Sequence, residues 1–283
     1  SIPLPNIKGR ESILDHYLQK IQHDGDDIEL NKVAKSTTGF SGADLENLVN
    51  LAAVRAVSCE QEAVKHEHME YARDRIIFGT EKKNLIIPND LKKSLSYHHS
   101  AQAIIAHYTD GAMPIFKLSL LPRGQSIGKL AQMPEEDVVS YTRKNILAAI
   151  DVAIAGKVAE EILMGTEKLT DGFGCGEEIK KATNMAYGYI KNYGMADLGF
   201  LYIDGQGDQT SEKYKAQIDA KVMEMLAEAK GRVKHLILEH KETIFALSTQ
   251  LLESETLGKE EIVKIIKEKD PEAKLESHPK SHQ

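Results

Sequence analysis

The sequence predicts a mainly α-helical chain made of two helical bodies, the second of which carries a small β-sheet. Three observations predict this class. Apolar residues recur at three- and four-residue spacing along most of the chain, a capping box opens a long helix at Ser41, and Phe116 to Leu121 stands out as the best strand candidate.

Taken in order, the prolines of Ser1-Ile2-Pro3-Leu4-Pro5 keep the start extended, and a helix then begins near Lys8 with Ile13, Leu14, Tyr17, Leu18 and Ile21 on one side. The polar break His23 to Asp27 leads to a short helical stretch with Leu30, Val33 and Ala34, which Thr37-Thr38-Gly39-Phe40 ends. Ser41 is placed as an N-cap, with Asp44 three residues on, before Leu45, Leu48, Val49, Ala52, Ala53 and Ala56. A further helix is expected from His66 to Gly79, so the first 80 or so residues read as a bundle of three to four helices. Glu81 to Pro88 is charged and reads as a linker. Beyond it, Asn89 to Tyr108 is helical by pattern until Asp110-Gly111 and Pro114 break it. The strand Phe116 to Leu121 is closed by Pro122-Arg123-Gly124. An alanine-rich helix is expected from Ser140 to Met164, stopped by Gly165, where small side chains favour close packing. A glycine-rich turn at Gly172 to Gly176, helices over Glu177 to Tyr193, Tyr214 to His240 and Ser248 to Lys269, and a polar loose tail from Pro271 complete the reading. Domain boundaries are expected at 1–85, 86–270 and 271–283.

Composition narrows the function classes. With 41% apolar and 28% charged residues the chain has the balance of a folded globular protein, and its net charge of −7 gives no general attraction for nucleic acid or anionic lipid. Two cysteines, Cys59 and Cys175, cannot build a disulfide framework or a four-thiolate zinc site. No run of about 18 apolar residues predicts a membrane span. The chain opens on Ser1 with no signal or transit pattern, and is expected to be a piece of a longer protein.

Zinc peptidases place two His at i and i+4 on one helix face, with a carboxylate between them that activates water. The candidate here is Tyr97 to Ala103, YHHSAQA: His98 and Gln102 have that spacing, about 40° apart around a helix of 3.6 residues per turn, and His99 stands where the acid would act. On this heptapeptide alone, an ordinary capped or exposed His pair is the simpler reading. The adjacent Glu160 and Glu161 diverge on their helix and read as salt-bridge or subunit-contact residues, and Cys175 as a structural thiol.

Longer motifs carry more. Gly39 to Asn50 (GFSGADLENLVN) resembles the helical lid of an FtsH-type AAA+ module. Tyr97 to Ala103, Pro122-Arg123-Gly124, Leu130 to Asp137 (LAQMPEED), Gly156 to Glu161 (GKVAEE) and Gly174 to Glu178 (GCGEE) resemble, in order and spacing, the peptidase domain of the same family. Within it, His107 to Gly124 (HYTDGAMPIFKLSLLPRG) is most similar to the mitochondrial i-AAA branch.

The resemblance implies a membrane-anchored, ATP-driven hexamer, of like or related subunits, that unfolds membrane proteins and passes them to a ring of zinc peptidase domains. It implies no nucleic-acid partner, a membrane contact through an upstream segment, and residence in the mitochondrial inner membrane or another FtsH-bearing membrane, plastid or bacterial. Carried over by position, His98 matches the first zinc ligand, His99 the general base, Gln102 the second ligand and Glu178 the third, normally Asp. Lys117, Leu118, Ser119 and Leu120 match an edge strand that aligns substrate by adding it to the sheet, with an ordinary sheet strand as the alternative, and Gly42 and Ala43 match the part of the lid near nucleotide. Two of the four site positions thus lack the family residue. A Gln amide oxygen is a poor zinc ligand and the general base is worth about 10² to 10⁴ in rate, so zinc is expected to be weak or absent and proteolysis lost. The alternative is an active zinc peptidase whose metal sits on His98, His99 and Glu178, although adjacent helical residues diverge by about 100°. No phosphate loop of the G-x-x-x-x-G-K-[ST] type occurs, so ATP and magnesium are expected on a part of the protein outside this chain.

Overall fold

The computed structural model describes residues 3–80, 82, 85, 87–123, 126–134, 140–168, 175–195 and 211–271. The chain divides into two compact units, one formed by 1–83 with 133–139 and the other by 84–132 with 140–283.

The first unit is helical. α1 (Ile7–Leu18) starts at Asn6, whose side chain accepts the Gly9 amide hydrogen at 2.9 Å, and α2 (Leu30–Lys35) is a short turn and a half. α3 (Gly42–Ser58) opens on the expected capping box: Ser41 Oγ accepts from the Asp44 amide at 3.3 Å, and Asp44 accepts from the Ser41 amide at 2.9 Å. α4 (His66–Phe78) follows. Leu14, Leu18, Val33, Leu45, Leu48, Ala52, Met69 and Ala72 form the core between them, the heptad-like stripe that the spacing predicted. Gly42 and Ala43 lie in the first turn of α3.

In the second unit α5 (Asn89–Tyr108) lies at the centre, packed chiefly on α6 (Arg143–Met164) and α9 (Lys241–Ser254). α7 (Cys175–Lys191) and α8 (Glu212–Glu239) pack on the other side of α6, and α10 (Lys259–Lys269) lies against α9. The alanine-rich sequence of α6 explains its place. Ala155 and Ala159 enter the core shared with α5 and the sheet, while Ile150 and Ala153 enter the core shared with α7 and α8, so one slender helix serves two neighbours.

The sheet corrects two expectations. It has three strands, β1 (Ile115–Arg123), β2 (Ser126–Gln132) and β3 (Thr256–Gly258), in the order β2-β1-β3, with both pairings antiparallel. The predicted strand is therefore central. Lys117, Leu118 and Ser119 pair with Gly258, Leu257 and Thr256 on one side and with Ala131, Leu130 and Lys129 on the other, and the Leu120 amide bonds the Glu255 carbonyl at 2.8 Å. Lys117, Leu118, Ser119 and Leu120 thus have no open backbone edge to receive a peptide, and Leu118, Ser119 and Leu120 are buried. The second correction is the break of the expected helix Ser248 to Lys269. Glu255 takes a left-handed conformation (φ 58°), ends α9 and turns the chain into β3. The glycine-rich turn at 172–176 up to residue 174, residues 135–137 of the LAQMPEED motif, Gly124 and the tail from 272 lie outside the described residues.

Candidate functional site

α5 has an unusual interior. A helix this central would be expected to bury apolar side chains, yet Ser94, Ser96, His98, His99, Ser100 and Gln102 are all buried. Buried polar groups are as a rule partnered; Ser94 Oγ and Ser100 Oγ have no partner among the described residues, and the partners of His98, His99 and Gln102 define the site.

His98 is 1% exposed and lies between two acids. Its Nδ1 is 2.9 Å from Oε1 of Glu160 on α6 and its Nε2 is 2.8 Å from Oε2 of Glu178 on α7. Both ring nitrogens face carboxylate oxygens, so both act as donors. Gln102, one turn further along α5, donates its Nε2 hydrogen to the other Glu178 oxygen at 2.8 Å. That orientation turns its Oε1 towards His99, whose Nδ1 donates to it at 2.9 Å. The second His99 nitrogen lies 3.2 Å from the Ile127 carbonyl of β2. His98, Gln102 and Glu178, the three positions matched to zinc ligands in the sequence, therefore come together, and His99 sits beside them with its ring edge-on to that of His98 at 4.9 Å between centroids.

Two glycines make the approach. A Cβ at Gly156 of α6 would lie 2.1 Å from His98 Nε2, and one at Gly128 of β2, where φ is also +81°, would lie 2.6 Å from His99 Nε2. Each imidazole thus rests on a backbone that only glycine can bring so near.

The electrostatics follow from burial and charge. Burial holds the His99 imidazole below its ordinary value, with the neighbouring His98 pushing the same way, so the neutral ring is favoured. For Glu178, burial pushes the carboxyl up, but the hydrogen bond and charge of His98, with smaller contributions from His99 and Gln102, hold it below the usual carboxylate range.

Glu160 makes ion pairs as expected, with His98 at 2.9 Å and Lys157 at 3.9 Å, but makes them inside the site, which the sequence did not indicate. It is fully buried against His98, while its neighbour Glu161 pairs with Lys230 at 2.7 Å as an ordinary half-exposed ion pair. The expectation that the two acids diverge held, but only one of them faces the surface. The signal that could have separated them is the alanine stripe: Glu160 follows Ala159 and lies one turn beyond Gly156, on a side of α6 that the small residues bring against α5. His98 and His99 also depart from expectation. Ligand-type atoms of His98, His99 and Glu178 all lie within 4.8 Å of one another, so the neighbours on the helix converge more than a 100° divergence suggests. They do so because both rings bend into the space between α6, α7 and β2.

Residues 85–265 match Peptidase family M41 and residues 27–71 match an AAA+ lid domain. The chain is 38% identical over 276 residues to the ATP-dependent zinc metalloprotease FTSH 11, chloroplastic/mitochondrial, of Arabidopsis thaliana, an alignment that covers 97% of this chain and 34% of that protein. It is 35% identical over 268 residues to the mitochondrial inner membrane i-AAA protease supercomplex subunit YME1 of Saccharomyces cerevisiae (94% and 36% covered). With the human ATP-dependent zinc metalloprotease YME1L1 it shares 36% identity over 275 residues (97% and 35%). The chain spans about a third of the length of the curated relatives it matches.

Proposed function

Since the chain belongs to peptidase family M41 and carries an AAA+ lid domain ahead of its peptidase region, we propose that it is the peptidase-bearing part of an ATP-driven, membrane-anchored hexamer whose peptidase fold no longer cuts peptide bonds. In this reading the domain serves assembly, scaffolding or chaperone-like handling of membrane proteins, alone or beside active subunits, in the mitochondrial inner membrane or a plastid membrane. The names of the relatives support the ATP-dependent class, the mitochondrial inner membrane and, as a compartment, the chloroplast; among the described residues no helix is long and apolar enough to cross a membrane.

One observation carries the loss of cleavage: Gln102 turns its oxygen to His99 and its nitrogen to Glu178. An amide nitrogen has no lone pair for a metal, so the second ligand position offers zinc nothing in this arrangement. The distances agree. Ligand atoms around a tetrahedral zinc sit about 3.3 Å apart given bonds of about 2.0–2.2 Å, whereas His98 Nε2 and Glu178 Oε2 meet directly at 2.8 Å. In this reading His98, Gln102 and Glu178 do not make a three-ligand catalytic zinc site. His99 does not stand in for the missing base in this reading: its ring is buried, Nδ1 is engaged with Gln102, and Nε2 is turned to the Ile127 carbonyl at 3.2 Å rather than to an open position beside Glu178.

A second reading, an active zinc endopeptidase with an atypical site, is favoured by the approach of His98, His99 and Glu178 to within 4.8 Å. The test is cleavage of a casein-like unfolded substrate by the full-length ATP-hydrolysing assembly beside an active relative. The proposal expects ATP-dependent unfolding with no new peptide ends; chelator-sensitive fragments would overturn it in favour of the second reading.

A further inference from the structure

We infer that Gln102 and Glu178 are a matched pair that fastens the first turn of α7 to α5 by hydrogen bonds, in the place where a metal would otherwise bridge the two helices. The inference rests on the zinc-free reading above and adds to it a specific replacement for the ion.

The pairing is directional at every step. His99 Nδ1 donates to Gln102 Oε1 and so fixes which end of the amide faces α7. The amide nitrogen then donates to Glu178 Oε1, and Glu178 Oε2 takes the His98 Nε2 hydrogen, both at 2.8 Å. His98 closes the chain on Glu160 of α6 at 2.9 Å. Each oxygen of Glu178 therefore has its own donor, both from α5, and the two donors stand one helical turn apart, matched to the two arms of a single carboxylate.

The position of Glu178 makes this fastening matter. It lies in the first turn of α7, where Gly176, Glu177, Ile179 and Lys180 are exposed, and among the described side chains of the helix the first to join the apolar core is Ala182. Apolar packing holds the later turns of α7, and the carboxylate holds the beginning. Two acids facing each other at 102 and 178 would repel, and two amides would set one NH2 against the other, so a change at either position alone is costly.

The exchange of the two side chains tests this on the full 283-residue chain. Gln102→Glu is expected to lower the melting temperature by about 5–10 °C, and Glu178→Gln by a similar or smaller amount, because each leaves a buried polar group facing the wrong partner. In the double exchange, position 178 donates to the carboxylate at 102 and still accepts from His98, while His99 still donates to 102. At least half of the lost melting temperature should return, and amide exchange in the first turn of α7, raised about tenfold or more in each single variant, should fall back towards the native rate. A double variant no better than the sum of the singles, or single variants with a native-like first turn of α7, would overturn the inference. Should a single variant fail to fold, a folded double variant supports the pair and an unfolded one overturns it. Stoichiometric zinc in the native chain would overturn both this inference and the reading beneath it; a zinc-free chain without rescue would overturn the pair alone.

Discussion

In the first unit the buried Arg10 donates to the carbonyls of Ala34 at 2.8 Å and Pro5 at 3.0 Å, the fully buried Thr37 donates to the Val33 carbonyl at 3.0 Å, and Ser41 and Asp44 serve the start of α3. In the second, the polar residues of α5 reach side chains on other helices: His98 meets Glu160 and Glu178, Gln102 meets Glu178, and Ser96 meets Ser248 at 2.7 Å. Much of the buried polarity in the first unit finishes backbone that folding leaves unpaired, and its buried ionisable pair, Arg73 with Asp74 at 3.0 Å, joins neighbours on one helix. In the second it links three helices through ionisable groups in a part of the core that apolar side chains could fill. Polarity of that kind has no structural necessity, and it marks where the fold keeps, or once kept, chemistry.

The largest expected effect breaks the second network at its deepest point. Glu160→Ala leaves His98 Nδ1 buried without its acceptor and is expected to cost about 3–5 kcal/mol, read as loss of cooperative melting of the second unit with the first unit's transition unchanged. Next, Gly156→Ala drives a methyl group into the His98 ring. Overpacking of this kind costs about 1–3 kcal/mol, and the His98 ring signals in an NMR spectrum should move while those of His68 in the first unit stay in place. In the first unit, Ser41→Ala removes a cap and should cost about 1 kcal/mol, visible in chemical denaturation. Were Ser41→Ala to cost as much as Glu160→Ala, the contrast between the units would fail.

The smallest expected effect concerns pH. His240 stacks on Tyr108 at 3.7 Å, with Asp270 bonded to the Tyr108 hydroxyl and Glu239 beside it. Burial holds the His240 imidazole below its ordinary 6.5 in spite of the two acids. The unfolded chain therefore takes up the proton first: this share of stability is complete above about pH 6.5 and is lost as pH falls towards the lower folded value. His240→Phe should flatten the decline of melting temperature between pH 6.5 and 5, and an unchanged decline would show that the loss arises elsewhere.

Much of the fold was legible in the sequence. The capping box at Ser41, the helix Asn89 to Tyr108 and the alanine-rich helix ending at Gly165 were read from spacing and caps, and they stand where expected. The neighbours of the strand Phe116 to Leu121 were not legible. β2 carries Gly128 and Lys129 in its middle and lacks a clean alternation, and β3 is three residues long, entered through a left-handed Glu255 with no glycine to announce the turn. A strand is central or at an edge according to those partners, so the sequence alone could not decide between the edge strand that the family resemblance implied for Lys117 to Leu120 and an ordinary sheet strand. At the site, spacing alone linked His98 to Gln102. Glu178 was joined to them by family resemblance, and Glu160 not at all, because a contact across 62 residues between two helices leaves no periodic trace.

In the proposed reading hydrogen bonds, rather than an ion, complete this core. The most direct test of that reading is the melting of the native 283-residue chain, after exhaustive chelation and after addition of excess zinc, with the metal content of each sample measured. The account predicts superimposable transitions and far less than one zinc per chain. A chain that retains one zinc, and whose second unit melts markedly lower once that zinc is removed, would contradict it.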